Sequence, residues 1–461
     1  METSGHSRSS LTTPARSIDD GSSQSKNSIK HNLNRKAASD DVRSSVTASL
    51  ITAPRPVQRR FRSARLVGRY EKPWLQDHSY RTRERFDKII LSVCAFVGFV
   101  LAAFICWTEW KSVPVHDYCL VLDDNFATFK DSVWSHEVAI GGFGYGSFDW
   151  TTNDSSNSYI SSSGLHIVPT LTSETTTITA QQIYNGYTLD LTADKSCTLP
   201  DKTQCIRHSD AANGTIINPV RSARLTTAGK VSIQYGRVEV VAKMPKGDWL
   251  WPSIWMYPEQ ETYGPWPQSG EIDIAQLRGN PAASYPNGRD TLSSALHWGL
   301  TLDLDQSART SESFTLRRQD LSAGFHTYGF EWSETRMFTW IDDRVHQVLS
   351  TGFGASRGTM YQRGGFSSMW SSAGLPQNIW AKSGSYNTPF DHPFHLIINV
   401  AVGASNGFFP NGQGGKPWID GGATSMLNFW LANGTWLPTW GSGEDRGMTV
   451  KSVKMWQQGK C

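Results

Sequence analysis

The 461-residue chain has no internal repeat, which excludes solenoids and propellers. It has no CxxC pair, no phosphate-cradling glycine loop and no Ser-His-Asp arrangement, so nothing points to a zinc module, P-loop chemistry or a serine hydrolase. No metal site is legible and no cofactor is expected. Long apolar runs are absent save one, residues 89–107, IILSVCAFVGFVLAAFICW. Without a charge or a proline, that run is long enough to cross a hydrocarbon core. It begins too deep for an ordinary cleaved signal peptide. A buried core helix would normally carry a polar stripe, so the run reads as a membrane-spanning signal anchor.

The net charge of +3 conceals an asymmetry. Residues 1–88 carry 18 Lys and Arg against 9 Asp and Glu, a surplus of +9, whereas the rest of the chain is at −6. The first 60 residues are rich in Ser, Thr, Asn and Arg without a period, so the segment 1–88 reads as a disordered basic tail. It lacks interleaved aromatics and any folded basic pattern, which speaks against a nucleic-acid partner and leaves a solvated arm or contact with anionic lipid. Arg69, Lys72, Arg81, Arg83, Arg85 and Lys88 precede the apolar run closely and only Lys111 follows it closely, which places the N-terminus in the cytosol. The N-x-Ser/Thr sequons at Asn153, Asn213 and Asn433 all lie beyond the run, as do the four cysteines outside it. Cys197 and Cys205 bracket a short polar loop and Cys119 and Cys461 sit at the ends of the remaining chain. This arrangement suggests a loop staple and an end-to-end bridge in an oxidising compartment, although sequence alone does not prove the connectivity. The expectation is a single-pass type II membrane protein, its larger part lumenal or extracellular after a linker at 108–118.

Beyond that linker helical patterns are few. Short alternating runs alternate with Gly, Asn, Asp and Pro clusters, as in Arg237–Met244, where Val238, Val240, Ala242 and Met244 interleave with polar residues. Residues 394–402, FHLIINVAV, read as a more buried strand, and 448–456 alternate again. The region 119–461 is therefore expected to be one large antiparallel β-sandwich. Its load of 19 Trp, 14 Tyr and 20 Phe suits either a thick core or a sugar cleft, because pyranose C–H faces stack on aromatic rings.

The stretch 270–280, GEIDIAQLRGN, carries the chemistry. Side chains alternate along a strand, so Glu271 and Asp273 share one face and Ile272 and Ile274 the other. The isoleucines belong in the core, and the carboxylates belong where water or substrate reaches them. Strict alternation would then bury Gln276 and expose Leu277. One extra residue near Ala275, a β-bulge, returns Gln276 to the acidic face and Leu277 to the core.

This pattern resembles family 16 of the retaining glycoside hydrolases, which carry Glu-x-Asp-x-x-Glu on one bulged strand of a concanavalin A-like jelly roll. Further segments are similar to that family: TIINPVRSARL (215–225), YGRVEVVAKMPKGDWLWPSIWMYP (235–258), LHWG (296–299), FHTYGFEW (325–332) and FHLIINVAVGASNGFFP (394–410). The resemblance covers essentially all of 119–461 and looks closest to a fungal, membrane-anchored, laminarinase-like branch acting on β-1,3-glucan. It implies Glu271 as nucleophile, Asp273 as its auxiliary and position 276 as the acid/base, where this chain has Gln. It also allows a structural calcium that the sequence does not locate.

By the same resemblance Trp251, Trp255, Trp298 and His297 border the substrate. The bland alternatives are core packing for the tryptophans and a hydrogen bond to a neighbour for His297. Glu259 and Glu261 read as solvated loop charges, and Arg221 and Arg224 as glycan contacts or partners of acidic groups. Two functions follow as expectations: a β-glucan hydrolase or transglycosylase weakened at position 276, and a non-catalytic β-glucan-binding or wall-assembly protein on the same fold.

Overall fold

The computed structural model describes residues 67–68, 70–112, 115–369, 374 and 377–461. The acidic-faced strands, the cysteines and the sequons all fall within these. Most of the basic tail lies outside the described residues.

One helix, His78–Ser112, contains the apolar run. It starts eleven residues before the expected boundary at 89 and continues past 107, so neither the end of the tail nor the start of the linker is irregular. The reason is local. The flank RTRERFDK is made of helix formers, Glu84 and Lys88 pair one turn apart, and each added residue extends a hydrogen-bond ladder already nucleated by the apolar segment. The helix is long and apolar enough to span a bilayer.

Beyond the helix the chain forms a jelly-roll sandwich of two eight-stranded sheets. One sheet runs in the order Asp343–Gly352, Arg336–Ile341, His326–Trp332, Gly236–Lys243, Met448–Gln458, Gly164–Ile167, Ser158–Ser161, with Tyr118–Asp124 also paired to Met448–Gln458. The other runs Ser311–Thr315, Thr291–His297, Glu271–Gln276, Leu250–Pro258, Phe394–Val402, Arg224–Thr226, Ser135–His136, with Ser232–Ile233 on Phe394–Val402. Residues alternate between buried and half-buried along Gly236–Lys243, and Val238, Val240 and Ala242 face the core with Tyr328, Phe330, Ile272 and Ile398. Phe394–Val402 is buried at every residue but Asn399, because one face meets that core and the other floors the cleft.

Two smaller sheets accompany the sandwich, and the parallel pairing in the first departs from the all-antiparallel expectation. A three-stranded sheet includes a parallel pairing of Asp149–Thr151 with Val220–Ser222, and a two-stranded sheet joins Thr188–Asp190 to Ile206–His208. Disulfides join Cys119 to Cys461 and Cys197 to Cys205. The first ties the first strand of the domain to the end of the chain, closing a loop whose length makes cross-linking effective against unfolding. Asn153 and Asn213 are exposed and Asn433 is half-buried.

Candidate active site

The second sheet carries a cleft on its outer face. Across its floor, Glu271 pairs with His297 of the next strand, and Gln276 pairs with Ser293 on one side and Ser253 on the other. Register slips between Asp273 and Ala275 against Leu250–Pro258 and between Asp273 and Gln276 against Thr291–His297, so Ile274 is the extra residue of a β-bulge against the first. Ser294 Oγ donates to the Ile274 carbonyl at 2.7 Å and satisfies the group that the bulge releases. As a result Glu271, Asp273 and Gln276 share one face of the strand, with Glu271 and Gln276 lining the cleft and Asp273 beside Glu271, while Ile272, Ile274 and Leu277 are buried behind it.

Glu271 is 2% exposed and Asp273 1%. Burial, then the charge of Asp273, holds the Glu271 carboxyl well above the usual carboxylate range, against the pull of His297, Tyr145 and Arg224. His297 Nε2 lies 3.2 Å from Asp273 and 4.0 Å from Glu271, and Nδ1 lies 2.7 Å from Asp305. Burial disfavours its cation, but the hydrogen bonds to Asp273 and Asp305 and the Glu271 charge outweigh that and hold its pKa well above the ordinary value. The carboxylates around the imidazole thus favour its protonated form beside Glu271.

The ligand-type atoms of Glu271, Asp273 and His297 converge within 4.8 Å. Two carboxylates and an imidazole whose nitrogens already face Asp273 and Asp305 do not fit calcium, which takes six to eight oxygens.

Trp251 and Trp255 stand on the same face of Leu250–Pro258 and line the cleft. Trp255 Nε1 donates to Asn399 at 2.8 Å, and Trp251 stacks on Phe408 with centroids 3.9 Å apart. Arg224 also lines the cleft, its guanidinium 4.1 Å from the Phe143 ring and 4.8 Å from the Trp255 ring, with Nε bonded to Glu137.

Two expected contacts are corrected. Trp298 is 0% exposed, packed between Phe366 and Trp380, with Nε1 donating to Thr310 at 2.8 Å. Strand alternation explains this, because the residue after a cleft-facing His297 must turn inward. Arg221 bonds Asp154, Thr152 and the Thr175 carbonyl and lies over Trp150, so it braces the small three-stranded sheet and is not among the cleft residues. Glu259 accepts from the Gly229 N–H and Glu261 from Tyr257, both as loop contacts.

Sequence reasoning missed Tyr145, Phe143 and Trp266. Tyr145 Oη donates to Glu271 Oε2, and Trp266 lies 5.5 Å from His297 with its Nε1 buried and unpartnered. The runs GGFGYG (141–146) and PWP (265–267) were the available signals: aromatics set among residues that shape tight loops. Asp149 was also missed. It is a buried carboxyl in the cleft wall that burial pushes up to about 6 and that accepts from the Val402 N–H.

A bulged strand thus sets Glu271, Asp273 and position 276 together at an aromatic-walled cleft. The profile described as Glycosyl hydrolases family 16 matches residues 171–383. A Beta-1,3-glucan-binding protein of Penaeus monodon is 37% identical over 80% of this chain and 96% of its own. A Glucan endo-1,3-beta-glucosidase of Cryptopygus antarcticus is 35% identical over 44% and 62%. The catalytic domain of an endo-1,3-beta-glucanase (laminarinase) from Thermotoga petrophila RKU-1 superimposes with a TM-score of 0.45 at 20% identity, over 75% of this chain and 100% of that one. The chain belongs to glycosyl hydrolase family 16.

Proposed function

We propose that the cleft binds β-1,3-glucan and that the protein is a retaining glycosidase, hydrolytic or transglycosylating, of cell-wall carbohydrate metabolism, slowed by Gln276. The observation that carries this reading is the common face of Glu271, Asp273 and Gln276 on one bulged strand. Retaining hydrolysis needs one carboxylate to attack the anomeric carbon and a second group to protonate the departing oxygen. Glu271 attacks, with Asp273 and the His297 cation holding it in place. The Gln276 carboxamide can hydrogen-bond the glycosidic oxygen but delivers no proton, so glycan leaving groups depart slowly.

A second reading, glucan binding without turnover, is favoured by two observations: Gln276 itself, and the name of the 37%-identical relative, a β-1,3-glucan-binding protein. The two readings separate on pH dependence. Glu271 must be ionised to attack, and its pKa is raised, so turnover of an aryl β-glucoside should climb with pH through a limb above the ordinary Glu value of about 4.3. Gln276 does not titrate, so no falling alkaline limb from an acid/base residue should follow. Absence of any turnover across the range favours the binding reading.

The reading also places the protein in a membrane of the secretory pathway or cell surface through its apolar helix, N-terminus cytosolic, with the sandwich lumenal or extracellular. Protease added to sealed microsomes should remove the basic tail and leave a glycosylated fragment running from the apolar helix to residue 461. Survival of the tail contradicts this orientation.

A further inference from the structure

Residues 141–146, GGFGYG, place four glycines in six positions, and the backbone uses them. Gly142, Gly144 and Gly146 have φ of +68°, +86° and +69°, and Phe143 follows at +52°. A Cβ on Gly142 would lie 2.8 Å from the Ser147 backbone nitrogen, and one on Gly146 would lie 2.6 Å from Ser405 Oγ. This left-handed strap inserts two aromatic rings into the cleft. Phe143 covers Arg224. Tyr145 hydrogen-bonds Glu271 and meets Trp251, Trp255 and Trp266 edge-on, at centroid distances of 6.5, 5.8 and 6.4 Å.

A glucosyl unit attacked by Glu271 must bring its anomeric carbon to that carboxylate and lay its apolar faces against neighbouring rings. Tyr145 already holds both positions: its hydroxyl is on the carboxylate and its ring is among the indoles. We propose that the strap is a gate, with Tyr145 occupying the glucosyl position beside Glu271, so that a β-1,3-glucan chain enters only when the strap swings out. This rests on the glucan reading above.

The strap is built to move as a unit. The Ile140 N–H bonds the Gln204 carbonyl and the Phe148 N–H bonds the Val402 carbonyl, and both side chains are buried, so the two ends are pinned. Between them, the strap's contacts include the Ser405 N–H to Gly146 carbonyl bond, the close approach of Gly141 to the Gln204 side chain and the two inserted rings. What holds it shut is one hydrogen bond and edge contacts, which sugar hydroxyls and pyranose faces can replace. A gate closed in most molecules weakens apparent affinity by the fraction that is open.

The test uses the full chain in detergent and a β-1,3-linked glucose hexamer. On binding, hydrogen exchange should slow at 271–276 and quicken at 141–147, because ligand displaces the strap. Tyr145→Ala should bind the hexamer about ten-fold more tightly and Tyr145→Phe, which keeps the ring and loses the latch, by a smaller factor. Slower exchange in both segments, or weaker binding by Tyr145→Ala at an unchanged melting temperature, overturns the gate and leaves the glucan reading standing, since Tyr145 is then a wall of the occupied site. No binding by either the natural protein or Tyr145→Ala overturns both. Binding by Tyr145→Ala alone supports a gate that stays closed.

Discussion

Restoring a carboxyl by Gln276→Glu should raise laminarin hydrolysis by roughly 10²–10⁴-fold, the contribution of a positioned general acid and base. The substitution conserves length, and position 276 is half-exposed on the cleft face between Ser253 and Ser293, where a carboxylate can remain solvated. Glu271→Ala should abolish the restored activity. The natural protein should show the complementary pattern. An aryl β-glucoside with an acidic leaving group should be cleaved faster than polysaccharide, because that departure needs only the nucleophile, and added azide should speed release of the glycosyl-enzyme without a general base. Full laminarinase activity in the natural protein would mean that another acid serves. Asp149, a cleft carboxyl pushed up to about 6, would then be the first residue to replace. No gain from Gln276→Glu would favour the binding reading.

Trp298→Ala should destabilise the domain by about 3–5 kcal/mol, the usual cost of deleting a large aromatic side chain from a packed core. The indole is fully buried against Phe366 and Trp380. Thr310, which accepts from it, still donates to the Leu296 carbonyl, so the cost comes from the cavity and not from an orphaned hydroxyl. Denaturant unfolding of the full chain in detergent measures the loss, and hexamer affinity well below the transition should be unchanged. A weakened affinity with stability intact would return Trp298 to the cleft.

The bulge was legible because Leu277 is apolar and Gln276 is polar, so only an inserted residue lets both satisfy the strand. The disulfides were legible because four cysteines sat in two suggestive pairs outside the apolar run. Trp298 was legible in principle, since His297 and its successor cannot face the same way, and so was the distinction between Arg221 and Arg224. They lie three residues apart in two different strands, and only Arg224 belongs to the cleft-bearing sheet. Tyr145 was not legible. It reaches Glu271 across 126 residues of sequence from a loop with no period, so only the folded chain brings the two together.

The most direct test of a competent Glu271 in a β-1,3-glucan cleft is covalent trapping. A 2-deoxy-2-fluoro β-1,3-linked glucobiosyl fluoride needs no acid to lose fluoride and forms a slowly hydrolysed ester with the nucleophile. Peptide mass spectrometry of the treated full chain should find one glycosyl adduct, on Glu271. An unlabelled protein, or an adduct on any other residue, contradicts that assignment.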